Sequence, residues 1–249
     1  MNMSRDIFGN RAKLGVLLDP DFEATPEFES LLQYLEKGHG DIVLVGGSSS
    51  HRDNFSSLIQ KLKERLPQQI LLFPGNTLQL SSDADGLLLP SLISGRNPDY
   101  LIGKHVEAAR IIYESGIPVF SMGYIMIEGG RLSTTSYITQ TLPIPANKVE
   151  VAVQTALAGQ LLGMKCIYLE AGSGAEQPIS EKMIRAVKVA LHIPLIVGGG
   201  ITHVKDLESV VSAGADMVII GTLLEKSPES LPEFYNSFRN FLNPQEGVL

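Results

Sequence analysis

Short, almost continuous apolar runs recur along the chain. They cover residues 14–18, 41–46, 69–73, 85–90, 117–122, 166–170, 193–198 and 216–221. Such runs are typical of parallel strands that are buried on both faces. Segments with apolar residues at helical spacing separate most of them, at 26–38, 53–65, 98–115, 146–163, 180–191, 203–213 and 228–242. The alternation predicts an α/β protein with a (β/α)8 TIM-barrel fold, as a single domain over residues 1–249. An open, doubly wound sheet is the alternative, but eight units fill the length evenly, which favours the barrel.

Two connections depart from this pattern. Residues 74–84 read PGNTLQLSSDA, and their proline, glycine and paired serines leave little room for a helix. We therefore expect the third outer helix to be missing or replaced, which is either a natural shortening or a slot for a long ligand. A long, largely polar insert at 123–145 follows the fifth apolar run. Insertions at this end of a barrel often cover a substrate.

Composition and charge narrow the class of protein. The chain has 249 residues, 44% of them hydrophobic, which fits a globular protein. A net charge of −7 and the lack of a basic run argue against a nucleic-acid partner. The one cysteine, Cys166, lies in an apolar run and is expected to be an inert core residue. The N-terminus has no apolar signal-peptide core and no apolar run approaches about 18 residues, so we expect a cytoplasmic protein.

Glycines cluster at the predicted ends of the last three strands. The sixth strand ends in YLEAGSG, the seventh in VGGGI and the eighth in IIGT. Glycines allow backbone N–H groups to approach an anion closely, and loops seven and eight of this fold frequently bind phosphate. One such cluster could merely form a turn, but glycine motifs at consecutive strand ends favour a phosphate site.

Carboxylate and hydroxyl oxygens follow the first two strands. Asp19 ends the first strand and Ser48 lies in the GGSSS run after the second. Oxygen ligands of this kind suit Mg²⁺, which binds few protein groups and completes its shell with water and substrate phosphates. Asp21 and Thr25 are more simply explained as caps of the helix beginning near Pro26. The predicted strand ends carry no lysine, which disfavours a Schiff-base aldolase.

These motifs resemble those of a known family. LLDPD, VGGSSS, YLEAGSG, VGGGI and IIGT occur in the order and at the strand ends typical of geranylgeranylglyceryl phosphate synthases, a family that also contains bacterial heptaprenylglyceryl phosphate synthases. The resemblance extends from about Lys13 to the final helix. The last two motifs are shared with several phosphate-binding barrels, whereas YLEAGSG together with LLDPD and VGGSSS is much more specific.

The resemblance implies a prenyl transfer. The free hydroxyl of sn-glycerol 1-phosphate would attack a polyprenyl diphosphate, giving an ether and pyrophosphate. It implies Mg²⁺ on Asp19 and Ser48, so that Asp19 is catalytic through the metal. The residues it implies for sn-glycerol 1-phosphate are Tyr168, Leu169, Glu170, Ala171, Gly172, Ser173, Gly174, Gly199, Gly200, Gly221 and Thr222.

Glu170 is the candidate for receiving the proton of the attacking hydroxyl. Its alternative role is as a partner for another buried group. We expect Gly172, Ser173 and Gly174 to face the phosphate and Glu170 to face the other end of the same small molecule. Tyr124, expected after strand five, is assigned more loosely to the prenyl path or to glycerol phosphate.

The resemblance also bears on the second substrate and on assembly. Some bacterial members carry a lysine two residues before the aspartate, where this chain has Leu17. The difference favours a C20 geranylgeranyl donor over a C35 donor, by analogy. The missing helix would leave a groove for the apolar tail. A homo-oligomer is expected, and the hydrophobic donor suggests transient membrane contact, although no basic amphipathic anchor helix is visible.

Two other classes of function remain open. A phosphosugar isomerase of amino-acid biosynthesis would share the phosphate loops and could use Asp19. The fifth strand, however, ends in FSMGYIMIEGG without the second aspartate that such an isomerase needs. A non-catalytic phosphate- or lipid-binding barrel is the other possibility, and the combination of Asp19, Ser48 and Glu170 argues against it.

Overall fold

Eight parallel strands form a closed barrel in the computed structural model, which describes residues 7–9, 11–47, 55–76 and 78–243. The strands are β1 Lys13–Leu18, β2 Ile42–Val45, β3 Gln69–Leu72, β4 Gly86–Leu92, β5 Val119–Met126, β6 Cys166–Glu170, β7 Leu195–Gly198 and β8 Met217–Ile220. Each strand pairs with its neighbour in sequence, and β8 closes the barrel on β1, with Met217 opposite Lys13. The predicted TIM barrel is confirmed.

Helices surround most of this barrel. In the described residues they are α1 Pro26–Glu36, α2 Phe55–Arg65, α3 Lys104–Ser115, α4 Thr134–Thr139, α5 Val149–Leu161, α6 Glu181–Ala190, α7 Val204–Ser212, α8 Thr222–Lys226 and α9 Leu231–Leu242. A π-helical turn, Asp99–Gly103, leads into α3. In the part of the chain that the structure describes, no helix is both long and apolar enough to cross a membrane.

The two unusual connections differ in how well the sequence predicted them. The described residues between β3 and β4 form no helix, as the proline, the glycine and the paired serines there indicated, so α3 is the helix that follows β4. The end predicted for the fifth strand was wrong, because β5 continues to Met126. Ile127 then bridges to Ile144, so the insert leaves and rejoins the barrel wall at one point. Between these residues the insert contains α4, capped by Ser133 through a bond from the Ser136 N–H.

Aspartates fix the amino-terminal ends of the strands. The carboxylates of Asp41, Asp85 and Asp216 accept hydrogen bonds from the backbone N–H groups of Leu14, Ile70 and Leu195, at 2.8, 2.7 and 2.6 Å. Each aspartate precedes its own strand and reaches across to a neighbouring one. They lie at the face of the barrel opposite the loops that usually carry chemistry, so we infer that they fix the strand register and stabilise the barrel.

Apolar side chains fill two layers. The outer layer lies between the strands and the helices and contains residues such as Leu169 and Val197. The inner layer fills the barrel and contains Cys166 and Tyr168. Because side chains alternate along a strand, Glu170 follows these two on the inner face of β6, at the open end of the barrel.

Candidate active site

A cavity of about 350 Å³ opens at the carboxyl ends of the strands. Its wall combines glycines and polar groups from β6, β7 and β8 with apolar and aromatic residues from β3, β4 and β5. One side can therefore bind an anion through backbone groups, while the other side is suited to a hydrocarbon.

Glu170 lies in the wall between the two sides and is buried, with 8% of its surface exposed. Its Oε1 accepts a hydrogen bond of 2.7 Å from the Gly172 N–H, and the Tyr168 hydroxyl donates to its Oε2. Burial raises the pKa of Glu170 to about 7, and the Gly172 N–H bond partly opposes this rise. A carboxyl group with this pKa can accept a proton near neutral pH and later release it.

Three aromatic rings pack beside this carboxylate. The Tyr168 ring meets Phe73 and Tyr124 edge-on, with centroids 5.5 and 5.2 Å apart, and Phe73 stacks on Tyr124 at 6.2 Å. Burial, and secondarily the charge of Glu170, raises the pKa of Tyr124, and a hydrogen bond with Thr135 opposes the rise. Tyr124 lies within β5 rather than after it, and it faces the cavity. It therefore lies between Glu170 and the insert.

Gly199 explains how the loops after β6 and β7 approach so closely. Its φ is +84°, and a Cβ there would lie 2.7 Å from Glu170 Oε1. Only glycine combines this backbone conformation with such a contact. We expected Gly172 to face the phosphate, away from Glu170. Its N–H instead donates a hydrogen bond to the Glu170 carboxylate, so this expectation is wrong for Gly172.

The residues predicted to contact sn-glycerol 1-phosphate do not all reach the cavity. Tyr168 and Glu170 line it, and Gly172 does not. Ser173, Gly174, Gly199, Gly200, Gly221 and Thr222 line the cavity. Leu169 and Ala171 instead point into the outer core, so only their backbones are near the site. The Ser173 and Thr222 hydroxyls are 2.9 Å apart and join the loops after β6 and β8. The phosphate end of the cavity thus begins at Ser173 and not at Gly172.

Two cations lie near this end. Lys226, on α8, lines the cavity. Arg131, from the insert, donates to the Ser173 carbonyl at 3.4 Å. Both add positive charge to a region that already presents glycine backbones and hydroxyl groups. The combination is suited to a phosphate dianion.

Asp19 has a structural contact as well as a candidate role. Its Oδ1 accepts a 2.9 Å hydrogen bond from the Asp21 N–H, which caps the 3₁₀ turn Pro20–Ala24. Asp19 therefore makes the side-chain cap in this loop, whereas Thr25, which precedes α1, makes no side-chain cap bond. A Cβ on Gly47 would lie 2.1 Å from Asp19 Oδ2, so the absence of a side chain there gives the carboxylate its place.

Glu225 is a second carboxyl group beside Asp19. The Asp19 N–H donates to it, and burial and the Asp19 charge raise the pKa of Glu225. Ser48, the other predicted magnesium ligand, lies outside the described residues. Among those that are described, no three His, Cys, Asp or Glu side chains group to hold a metal ion. The donors at this position are carboxylate oxygens, which are hard ligands suited to Mg²⁺.

A second cavity, of about 60 Å³, continues from the first through the wall between β3 and β4. Pro74, Gly75, Pro90 and Tyr100 line both cavities. The outer one is completed mainly by apolar residues of β4, α3 and the segment that replaces the third outer helix, including Leu80, Leu89, Ala108 and Ile112. The second cavity therefore adjoins the candidate site, and its size allows it to take part of an elongated apolar group.

Comparisons with known proteins agree with this geometry. A model of the PcrB family matches residues 9–238. The chain belongs to the PcrB family. It is 43% identical over 242 residues to the geranylgeranylglyceryl phosphate synthase of Spirosoma linguale, covering 97% of both chains. It is 38% identical over 214 residues to the synthase of that name from Methanosphaera stadtmanae, covering 86% of this chain and 87% of the other.

Solved structures extend the comparison to the whole barrel. (S)-3-O-geranylgeranylglyceryl phosphate synthase from Thermoplasma acidophilum, in complex with its substrate sn-glycerol-1-phosphate, superposes with a TM-score of 0.87. The two proteins are 29% identical over 96% of this chain and 97% of the other. Thiamine phosphate pyrophosphorylase from Pyrococcus furiosus, with a TM-score of 0.60 and 16% identity over 94% of this chain and 98% of that one, shares the fold alone. The family resemblance carried by the five motifs is confirmed.

Several site residues of this PcrB-family chain were missed from sequence. Glu225 and Lys226 lie three and four residues after Thr222, which ends the IIGT motif, and this helical spacing could have placed them at the barrel mouth. Thr135 and Arg131 lie in the insert, whose path the sequence did not predict. Gln79, in the segment that replaces the third outer helix, reaches the site by contacts that no local pattern indicates.

Proposed function

We propose that this protein transfers a geranylgeranyl group from its diphosphate to sn-glycerol 1-phosphate, forming an ether and releasing pyrophosphate. The observation that carries the proposal is the placement of Glu170, a buried carboxyl group between a glycine-lined anion side and an apolar cavity. The names of the relatives and the substrate bound to the Thermoplasma acidophilum enzyme support the same reaction.

Glycerol phosphate fits the polar side. Its phosphate would lie against Ser173, Gly174, Gly199, Gly200, Gly221 and Thr222, which all line the cavity. Backbone N–H groups that glycines leave accessible can bind a phosphate, and the two hydroxyls and the nearby cations would add to this binding. Neither a metal ion nor a general base is needed for it. From this anchor, the glycerol hydroxyl would extend towards Glu170.

Glu170 would act as the general base. As the carbon–oxygen bond to the diphosphate breaks, the electron pair leaves with pyrophosphate. A new bond forms between the glycerol oxygen and the prenyl carbon, and the hydroxyl proton passes to the Glu170 carboxylate. The pKa of about 7 supports this role, since the group is substantially ionised near neutral pH but basic enough to accept a proton.

Mg²⁺ is proposed to be held by Asp19 and Ser48. When bound, the ion would neutralise the leaving diphosphate as a Lewis acid. The Asp19 carboxylate lies beside Gly47, which lines the cavity, and its oxygens are hard ligands that suit the ion.

The prenyl tail would run from the main cavity into the second one, which at about 60 Å³ can take only part of a C20 chain. Its apolar lining and its continuity with the site support a long hydrocarbon substrate. Leu17, where some bacterial relatives of the C35 type carry lysine, favours the C20 donor by analogy.

The alternative function, a sugar isomerase, would need a second aspartate at the end of strand five. The end of β5 has Tyr124 and Met126 instead, which disfavours that function.

We also propose that the chain forms a homo-oligomer. Helix α3 exposes Val106 and Tyr113, which lie seven residues apart on one face and are 70% and 88% exposed. Neighbouring exposed apolar groups often mark an interface. Light scattering during size-exclusion chromatography measures the assembly, and a mass equal to one chain at micromolar concentration would contradict it.

The reaction itself is tested by incubating purified protein with sn-glycerol 1-phosphate, Mg²⁺ and radiolabelled C15, C20 or C35 diphosphate. We expect ether product with the C20 donor and the highest kcat/KM for it. A lack of product from every donor would refute the transferase function.

A further inference from the structure

Gln79 is a buried polar side chain in the segment that replaces the third outer helix. It is 2% exposed. Its Nε2 donates a 2.8 Å hydrogen bond to the Gly47 carbonyl, and its Oε1 accepts from the N–H groups of Gly47 and Gly75, at 3.2 and 2.9 Å. One amide therefore joins the end of β2 to the segment that follows β3.

The two glycines held by Gln79 lie at different parts of the candidate site. Gly47 is in contact with Asp19 and immediately precedes Ser48, the proposed metal ligands. Gly75 lines both the main cavity and the apolar cavity. The segment containing Gly75 lacks a helix to hold it, so its placement depends on contacts of this kind.

We propose that Gln79 is a positioning residue that sets the prenyl groove at a fixed place relative to the diphosphate end of the site. The inference rests on the proposed function, because the groove and the diphosphate end are assigned from it. Loss of the Gln79 contacts would leave two partly buried N–H groups and one carbonyl without this partner, and the Gly47 and Gly75 backbones would shift. Binding of the donor would suffer, whereas the glycerol phosphate end, formed by β6, β7 and β8, would be unaffected.

Gln68 provides a matched control. It is also a buried glutamine, 8% exposed, and its Nε2 donates 2.8 Å to a backbone carbonyl, that of Leu35. It lies just before β3, at the opposite end of the strand from Gly75. Gln79→Met and Gln68→Met each remove one buried side-chain amide, the first after β3 and the second before it. Gln79→Glu keeps the acceptor oxygens but removes the bond donated to the Gly47 carbonyl.

The experiment measures KM for each substrate, the melting temperature, and binding of inorganic pyrophosphate with Mg²⁺ by calorimetry. For Gln79→Met we expect about a tenfold loss in pyrophosphate affinity and a similar rise in KM for the prenyl diphosphate, with KM for glycerol phosphate within about twofold. Gln79→Glu should show the same selective pattern. Gln68→Met should lower the melting temperature and leave both affinities unchanged.

Equal effects of Gln79→Met and Gln68→Met on pyrophosphate binding, or loss of stability alone, would overturn the inference. If Gln79→Met does not fold, an unchanged pyrophosphate affinity in Gln79→Glu would also overturn it. An inactive wild-type protein would instead count against the proposed function. The pyrophosphate titration needs no turnover, so it tests Gln79 separately.

Discussion

At the scale of single residues, the Glu170 carboxyl group determines the expected pH dependence. Its pKa is raised to about 7 by burial, and it must be ionised to accept the hydroxyl proton. We expect kcat/KM to rise with pH through an acid limb near pH 7 in the wild-type enzyme. Glu170→Gln should lose about 10²- to 10⁴-fold in turnover and show no such limb. A pH–rate profile from pH 5 to 9 measures both, and a limb that persists in the variant would assign it to another group.

The same pKa predicts that folding stability falls as pH rises, over the range in which kcat/KM is expected to increase. A folded-state pKa raised from 4.5 to about 7 means that folding stability is retained below pH 4.5 and falls as pH rises through 7. The fall amounts to roughly 3 kcal/mol for a buried group. Glu170→Gln should therefore unfold with a higher free energy than wild type at pH 8, and with an equal one at pH 4.5. Urea unfolding at both pH values measures the difference, and equal stability at pH 8 would refute a buried, ionised Glu170.

Asp19 can be tested without removing its structural contact. Asparagine retains an oxygen that accepts the Asp21 N–H bond but carries no charge for a metal ion. We expect Asp19→Asn to keep its melting temperature and its affinity for glycerol phosphate, while Mg²⁺-dependent turnover falls by at least about a hundredfold. Equal losses of turnover and of glycerol phosphate affinity would indicate a structural role instead.

At the scale of elements, the barrel could be predicted because parallel strands buried on both faces leave continuous apolar runs. The missing third helix was predictable from the proline, the glycine and the paired serines of residues 74–84. Continuous runs, however, do not reveal which residues face inward, so the apolar and aromatic neighbours of Glu170 could not be assigned. The end of β5 was mispredicted because Gly123 and Tyr124 look like loop residues, although they pair with Ile167 and Tyr168. Gln79 could not be predicted, since its partners are distant in sequence.

Helix α3 forms one wall of the apolar cavity, so it should influence donor length. Ala108 is 4% exposed and lines this cavity. Ala108→Phe would fill much of the space, and we expect kcat/KM for the C20 donor to fall at least about tenfold while the C15 donor is less affected. Ala109→Phe, at the next residue of the same helix but exposed, is the matched control. If the ratio of kcat/KM for the C20 donor to that for the C15 donor is the same in both variants, the prenyl tail does not lie in this cavity.

At the scale of the whole molecule, the net charge of −7 does not attract either anionic substrate. Attraction must therefore be local. The described site provides it through glycine backbones, paired hydroxyls and the cations Lys226 and Arg131. Because three strand ends contribute to this anion side, a bound phosphate would connect loops that follow β6, β7 and β8.

Binding of sn-glycerol 1-phosphate should consequently stabilise the whole barrel. At a concentration 100 times its Kd, a ligand adds about 2.7 kcal/mol to the free energy of unfolding. For a chain of this length that corresponds to a rise in Tm of about 5–10 °C. Differential scanning calorimetry measures the shift. Thr222→Val, which removes one of the two hydroxyls at the phosphate end, should reduce it at the same ligand concentration. The anion site would be misassigned if wild type and Thr222→Val shifted equally, or if neither shifted at millimolar ligand, because a phosphate bound there contacts this hydroxyl.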